Sequence, residues 1–462
     1  MTASASPQTQ KAPNPLALRD FRLLWAGESV SLLGDQFALI ALPWLVLQLT
    51  DDAVALGLVM ALAAVPRALF MLIGGALVDR FSPRVVMFAS NLARMILVAL
   101  LASVILAGGI EMWMVYLFAL SFGLADAFYF PGQTAIVPQI LDTDQLQIGN
   151  TLIQGMAQLS MFLGPVLAGV LIAVFGSTTN ADGDEIASID GIGVAFLLDA
   201  LTFLGSLVTL WLMRPRAAQE KANDENVLQS IREGIAYVAN DAVLRFMFLV
   251  LVAVNFLVVG PFEVGIPVLS DLHLDHGAAA FGIIMSAFGG GALLGIILAG
   301  VLPRPRPSAF GSTLLLITSG LGIGMALLPW SHQTVIVALV SLLIGTTNGY
   351  VNISLITWLQ KRVPEALMGR VVSVAMMAGF GIAPISALLA GLLLDVSLTG
   401  LFVGAGILMI LVILYGMSQP IIRRMGEDVA GLDAPLSVAD AIRKTGELPA
   451  LRSTGEMPVV RP

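Results

Sequence analysis

The chain has 462 residues, of which 57% are hydrophobic and only 12% charged, with a formal net charge of −8 and a mean hydropathy of +0.91. Globular domains are roughly 45–50% apolar and about 25% charged, so this composition excludes an ordinary water-soluble core and points to lipid as the solvent. Cysteine is absent, which excludes disulfides and thiol chemistry, and three histidines (His273, His276, His332) are too few and too scattered to suggest a metal site.

In chain order, the polar opening MTASASPQTQKAPNP lacks a charged-then-apolar leader pattern and reads as a disordered arm over residues 1–20. Apolar stretches of about 20 residues are long enough to span a bilayer. Twelve follow, at 21–49, 54–78, 85–108, 112–137, 148–175, 192–213, 244–270, 279–302, 309–329, 333–358, 371–394 and 399–419. The expected fold is therefore an all-α integral membrane protein of twelve transmembrane helices in two pseudo-symmetric six-helix bundles. The first bundle covers 21–213, a linker 214–243, the second bundle 244–419 and a polar tail 420–462.

Few ionisable residues fall inside these spans, and each demands a reason, because a charge at a helix centre costs about 2.5–3.5 kcal/mol on insertion scales. The first span carries Glu28, Ser31 and Asp35, spaced i, i+3, i+7 on one helix face. That face should line a central cavity rather than lipid. Desolvation favours a neutral carboxyl and a nearby cation favours the ionised one, so a group so placed can gain and lose a proton. Asp35, with Glu28, is the first candidate for proton coupling; the alternative is an ion pair that fixes helix packing.

Arg67 in the second span and Arg94 in the third are the two intramembrane cations. The fourth span has no basic residue, only Asp126, a weaker proton-coupling candidate, followed by AFYFPG, whose Phe128, Tyr129 and Phe130 could shape a substrate wall or simply pack. GPVLAG on the fifth span, with Gly164, Pro165 and Gly169, allows close helix approach and a kink. Asp199 in the sixth span is a weaker candidate for coupling, and serves equally well as a partner for a structural arginine.

The linker stretch NVLQSIREGIAYVANDAV places Leu228, Ile231, Ile235 and Val238 at helical spacing, with Arg232 and Glu233 facing elsewhere. It predicts an amphipathic helix on the cytoplasmic surface. Glu263 lies between Pro261 and Pro267 in the seventh span, and Asn348 and Asn352 sit one turn apart in the tenth. These three are candidates for the substrate cavity: Glu263 could meet a cationic substrate or merely approach the outer surface, and the asparagines could bind an uncharged or large polar ligand or serve interhelical packing.

Of 23 Lys and Arg, all but Arg67 and Arg94 fall on one side of the plan, which leaves 21 in segments assigned to the cytoplasm, and none in the opposite loops. That asymmetry puts both termini inside and supports the twelve-span count. The halves also echo one another. IALPWLV (40–46) aligns with VGIPVLS (264–270), GGALVDR (74–80) with AGVLPRP (299–305), and IVPQIL with RVPEAL, at offsets of 224, 225 and 226. A parallel repeat of this kind places a binding site between the halves near mid-membrane, with alternating access by rocking.

On these residues the chain resembles the major facilitator superfamily, specifically its third drug:proton antiporter branch of macrolide-efflux and enterobactin-exporter type, over about residues 16–420. Gly75, Asp79, Arg80 and Arg84 in GALVDRFSPR match the superfamily's signature between spans two and three, although Ser82 replaces the usual Gly and Pro83 interrupts the basic run. The resemblance implies that this loop braces the halves, with Asp79 latched to Arg370 or to the start of the eleventh helix. GPVLAG is similar to the antiporter motif of exporters, and Asp35 to Pro43 resembles a first-helix pattern of drug antiporters, one residue short.

Many relatives carry a coupling arginine in the fourth span. Here Arg67 or Arg94 would have to replace it. The resemblance thus implies a secondary exporter of small amphipathic compounds, drug- or siderophore-like, working by proton antiport in the cell inner membrane as a monomer surrounded by lipid.

No Walker A sequence or nucleophilic arrangement is present, and the net negative charge without a basic aromatic stripe disfavours nucleic acid. No cofactor and no metal are expected, nor is an enzyme. A nutrient or lysophospholipid transporter of the same fold, and a non-transporting membrane sensor, remain the alternatives.

Overall fold

The computed structural model describes residues 14–179, 185–187, 189–214, 227–303, 305–422 and 425, without side-chain placement at 72–76, 79, 177–179, 185–187, 227–231, 307, 365 and 366. The arm before residue 14 and nearly all of the tail therefore lie outside the described residues. The described chain is helical throughout its apolar stretches. The helices are α1 (Arg19–Thr50), α2 (Ala53–Arg80), α3 (Pro83–Leu106), α4 (Met112–Asp126), α5 (Tyr129–Ile140), α6 (Leu146–Phe175), α7 (Asp190–Leu212) and α8 (Val227–Asn240). They continue with α9 (Ala242–Gly260), α10 (Ile266–His273), α11 (Gly277–Val301), α12 (Phe310–Leu327), α13 (Thr334–Arg362), α14 (Glu365–Val396) and α15 (Leu398–Ser418). Twelve spans result, because α4 and α5 form one crossing and α9 and α10 form another.

Both subdivided spans break where proline forbids the helical ladder. The fourth, expected to run unbroken over 112–137, stops at Asp126 and resumes at Tyr129. Pro131 has no N–H, and its ring would meet the carbonyl of Ala127 four residues earlier. In the seventh, Pro261 and Pro267 bracket a π turn over Pro261–Gly265. Such widened turns are frequent at functional sites. The eleventh span starts at Glu365, earlier than expected, so Arg370 belongs to the helix itself. The polar loop after α6 adds a two-stranded antiparallel ribbon, β1 (Ser177–Thr179) with β2 (Glu185–Ala187), Thr178 opposite Ile186.

One end of the bundle carries Arg80, Arg84, Arg214, Lys361, Arg362 and Arg370, and the other Asp51, Asp52, Asp190 and Asp271; these are called the basic and acidic faces. In the N-terminal half α1 and α3 pack on α7, and α2 on α4. In the C-terminal half α11 packs on α13, α12 on α15 and α14 on α9. Two seams join the halves, α6 with α11 and α2 with α14.

Near the acidic face these seams run backbone against backbone. A Cβ on Gly282 would lie 2.3 Å from the Pro165 carbonyl oxygen, and one on Gly391 would lie 2.6 Å from that of Ala53. The Trp44 indole also lies beneath Gly277. About four turns nearer the basic face, on the same sides of these helices, the situation reverses. A Cβ on Gly155 would meet nothing within 4 Å, and Met377 is 41% exposed. The halves are closed at the acidic face and diverge toward the basic one.

The segment after α7 is outside the described residues until α8 begins. That helix docks on α14, with Gly234 against the Arg370 backbone and Glu233 bonded to the Arg370 guanidinium. Val238 is buried and Ile235 is exposed. The helix is thus held by an ion pair as well as by its apolar side, and Glu233 does not simply face solvent.

Candidate functional site

The intramembrane charges of the N-terminal half converge. α1 presents Asp35 and α3 presents Arg94, whose Nη2 lies 2.6 Å from Asp35 Oδ1 and 3.6 Å from Asp126 Oδ1 at the end of α4. Arg67 on α2 closes the row, with Nη1 3.6 Å from Asp126 Oδ2. Exposure is graded along it. The Arg94 side chain is 4% exposed, Asp126 23%, Asp35 29% and Arg67 39%, so the central cation is dry while both carboxylates keep a route to solvent.

A buried guanidinium needs more than one partner, because its planar fork carries five donors and a delocalised charge. Arg94 has them. Its carbon sits 4.4 Å from the Phe203 ring centroid, 5.0 Å from that of Tyr129 and 5.2 Å from that of Phe122. Nη1 donates to Asn91 Oδ1 at 3.4 Å, and Asn91 Nδ2 donates in turn to Ser206 Oγ at 2.9 Å. Arg94 Nε is buried with no partner among the described residues.

Glu28 shares the α1 face but not the same partner. The Tyr129 hydroxyl donates to it, and Gln133 Nε2 donates at 2.5 Å. Tyr129 and Gln133 are one turn apart on α5, so the restart of the fourth span after its break supplies both donors. Because the Tyr129 ring also lies against Arg94, the two carboxylate sites are in contact. Asp199 is buried beside Gly34 of α1, and its Oδ2 has no hydrogen-bond partner among the described residues. Among the described residues it makes no ion pair within 4 Å, although it lies within electrostatic reach of Arg94.

In the C-terminal half, Glu263 occupies the π turn. It is the one exposed residue between Gly260 and Ser270, and it lies within electrostatic reach of Arg67. The Arg67 guanidinium also stands 5.4 Å from the Phe380 ring centroid on α14. Asn352 is exposed and Asn348 half-buried on α13, and Phe130 is half-buried on α5.

The antiporter-type stretch performs a packing task in this conformation. Gly164 lies against the Gln36 side chain, and Pro165 and Gly169 form the α6–α11 seam. The Val166 N–H, beside the proline kink, donates across that seam to Ser286 Oγ at 2.8 Å. In the loop between α2 and α3, Arg84 Nε and Nη2 donate to the carbonyls of Leu210 and Trp211 at 2.6 Å each, which caps the end of α7. Arg80 stacks over Phe81 at 5.9 Å. Gly75 and the Asp79 side chain lie outside the described residues, so the expected latch of Asp79 to Arg370 does too.

The sequence reading missed Tyr129 and Gln133 as carboxylate donors, and Phe203 and Asn91 as the lining of Arg94. A tyrosine and a glutamine one turn apart just after Asp126 are the available signal, although AFYFPG by itself suits a substrate wall or packing equally well.

A sequence model of the Major Facilitator Superfamily matches residues 24–387. Macrolide efflux protein A of Streptococcus pyogenes is 23% identical over 367 residues, covering 78% of this chain and 87% of that one. The multidrug efflux pump Tap of Mycolicibacterium fortuitum is 26% identical over 398 residues, covering 84% and 91%. Among solved structures, the nucleoside transporter NupG superposes with a TM-score of 0.65 at 14% identity, covering 86% of this chain and 98% of that one. A bacterial homologue of the iron transporter ferroportin in an inward-facing state gives 0.63 at 16% identity, covering 87% and 99%. At such identities these two likenesses concern the fold alone.

Proposed function

This chain belongs to the Major Facilitator Superfamily and is a multi-pass membrane transporter, not an enzyme, and we propose that it exports small amphipathic compounds in exchange for protons. Two observations support export: the similarity to a macrolide efflux protein and a multidrug pump, and an antiporter-type stretch built into the seam between the halves. On this reading the basic face is the cytoplasmic one, with both termini on that side of the cell membrane, which the distribution of Lys and Arg supports. The described conformation is then open to the cytoplasm and closed outside.

The observation that carries the coupling is the row Asp35–Arg94–Asp126–Arg67. A dry arginine is shared by two carboxylates that water can reach. When Asp35 is ionised it holds Arg94 at 2.6 Å. When Asp35 binds a proton, Asp126 becomes the better partner, and Arg94 and Arg67 must redistribute. The row therefore has two arrangements that differ by one proton, and it lies between helices that reach both seams. Rocking about those seams exposes the row to each side in turn.

The membrane potential supplies about 2.3 kcal/mol per charge per 100 mV, and each pH unit adds about 1.4 kcal/mol. One entering proton can thus drive an exit step against a gradient. Everted vesicles with an acidified lumen test this. Adding a transported antibiotic or dye should dissipate the pH gradient in proportion to the amount moved. Transport with no accompanying proton movement would refute proton antiport while leaving the transporter assignment intact.

A further inference from the structure

On the flank of the N-terminal half, α3 stands away from α2 and α4 and leaves an apolar groove of about 660 Å³. Its floor is made of small side chains, Ala89 and Ala93 of α3 and Ala125 of α4, and its rim of large exposed ones, Phe81, Val85 and Ile96. Ser90 Oγ donates to the Ala125 carbonyl at 2.7 Å, so the buried hydroxyl in the floor is already satisfied and asks nothing of an occupant. The groove opens outward rather than into the gap between the halves. Leu77, which lines it, comes twenty residues after Gly57, the α2 glycine packed on α14, and so lies on nearly the opposite side of that helix.

Length and charge say what fits there. Val85 is in the first turn of α3 at the basic face, and Ile96 is eleven residues further on, about 16 Å along the helix. One leaflet of hydrocarbon is about 15 Å deep. The groove thus runs from the basic face to mid-membrane, the reach of one acyl chain. Arg80 stands at its shallow end, exposed, with the guanidinium 5.9 Å from the ring of Phe81. It has no ion pair among the described residues, whereas Arg84 beside it is engaged on the α7 carbonyls. A guanidinium fork matches phosphate oxygens in pairs, and a face rich in arginine attracts lipids of net negative charge.

We propose that this groove binds one anionic glycerophospholipid of the leaflet on the basic side, with an acyl chain along α3 between Phe81 and Ile96 and the phosphate on Arg80. The site rests on no reading of transport or of proton coupling, but it touches the back of the charged row. Ala93 and Ala125 immediately precede Arg94 and Asp126, and Phe128, in the break of the fourth span, lines the groove. A seated chain packs against that break. It therefore stabilises the bent crossing from which Tyr129 and Gln133 reach Glu28.

The test uses the full chain in bilayers of phosphatidylcholine and phosphatidylglycerol. Because the chain has no cysteine, a bimane fluorophore can be placed at Leu92→Cys, exposed on α3 one turn from Ala89, or at Leu411→Cys, exposed on α15 in the other half. Phosphatidylglycerol with brominated chains quenches a bimane that it touches, and quenching against bromolipid fraction gives its affinity relative to phosphatidylcholine. At Leu92→Cys the preference for phosphatidylglycerol should be about fivefold, the worth of about one cation at a membrane surface; at Leu411→Cys there should be none. Arg80→Gln should abolish the preference and Arg80→Lys should keep part of it. Ala89→Phe, which fills the floor from an exposed position, should abolish it by expelling the chain. Equal preference at the two labels would overturn the site. So would a preference that survives Ala89→Phe, since surface charge alone would then hold the lipid, and one untouched by Arg80→Gln would overturn the headgroup contact.

Discussion

Replacing Gly282 by valine should open the closed end of this transporter. A Cβ at Gly282 would stand 2.3 Å from the Pro165 carbonyl oxygen and 3.0 Å from Gly169 Cα, both backbone atoms that cannot rotate away. The α6–α11 seam has to widen. Overpacking of this kind costs about 1–3 kcal/mol, and it falls only on the conformation in which that seam is shut. At about 1.4 kcal/mol per decade, the balance should shift about 5- to 150-fold toward the form open at the acidic face.

The chain has no cysteine, so nitroxide labels at Gly109→Cys and Gln333→Cys, exposed positions on that face in opposite halves, report without background. Electron–electron distance measurements should gain a longer component in Gly282→Val. They should not change in Gly300→Val, where a Cβ on the same helix would meet nothing within 4 Å. An unchanged distribution in Gly282→Val, or an equal shift in the control, would refute the claim that backbone contact at this seam sets the closure.

Arg94→Met should cost up to about 3–5 kcal/mol, since it removes the buried cation that Asp35 and Asp126 share and leaves both carboxylates without it. Thermal unfolding in detergent should show a large fall that is partly recovered in the double variant with Asp35→Asn; an additive loss would mean the two side chains are not coupled. Tyr129→Phe removes the hydroxyl donor of buried Glu28 and should lower stability by about 1–3 kcal/mol. An unshifted unfolding midpoint would mean that Glu28 draws its solvation from elsewhere.

The twelve crossings were legible because lipid enforces them: uninterrupted apolar length, and basic residues confined to alternate connections, leave little freedom. The local breaks were less so. Pro131, Pro261 and Pro267 were visible, yet Pro43, Pro66, Pro165 and Pro384 sit inside continuous helices. Which proline interrupts a span depends on what neighbouring helices offer to the freed backbone groups, and Ser286 does this for Val166.

At the site, helical spacing placed Glu28 and Asp35 on one face, and the charge count named Arg67 and Arg94 as the only available cations. Sequence could not rank those two. The choice follows from α3, not α2, bringing its arginine beneath Phe203 and beside Asp35. Nor could it separate the two carboxylates' environments, since the donors to Glu28 come from a helix that restarts only after the break at residues 127 and 128. The pairing of Glu233 with Arg370 was equally hidden, because the linker's periodicity gives its apolar side but not what lies opposite its polar one.

The most direct measurement compares two transport modes of Asp35→Asn in proteoliposomes loaded with a transported dye. With no gradient, the variant should exchange labelled for unlabelled dye at near wild-type rates, because binding and rocking need no proton. Under an imposed pH gradient it should fail to concentrate the dye, whereas wild-type protein accumulates it. Gradient-driven accumulation by Asp35→Asn would contradict the assignment of Asp35 as the group whose protonation couples the two halves.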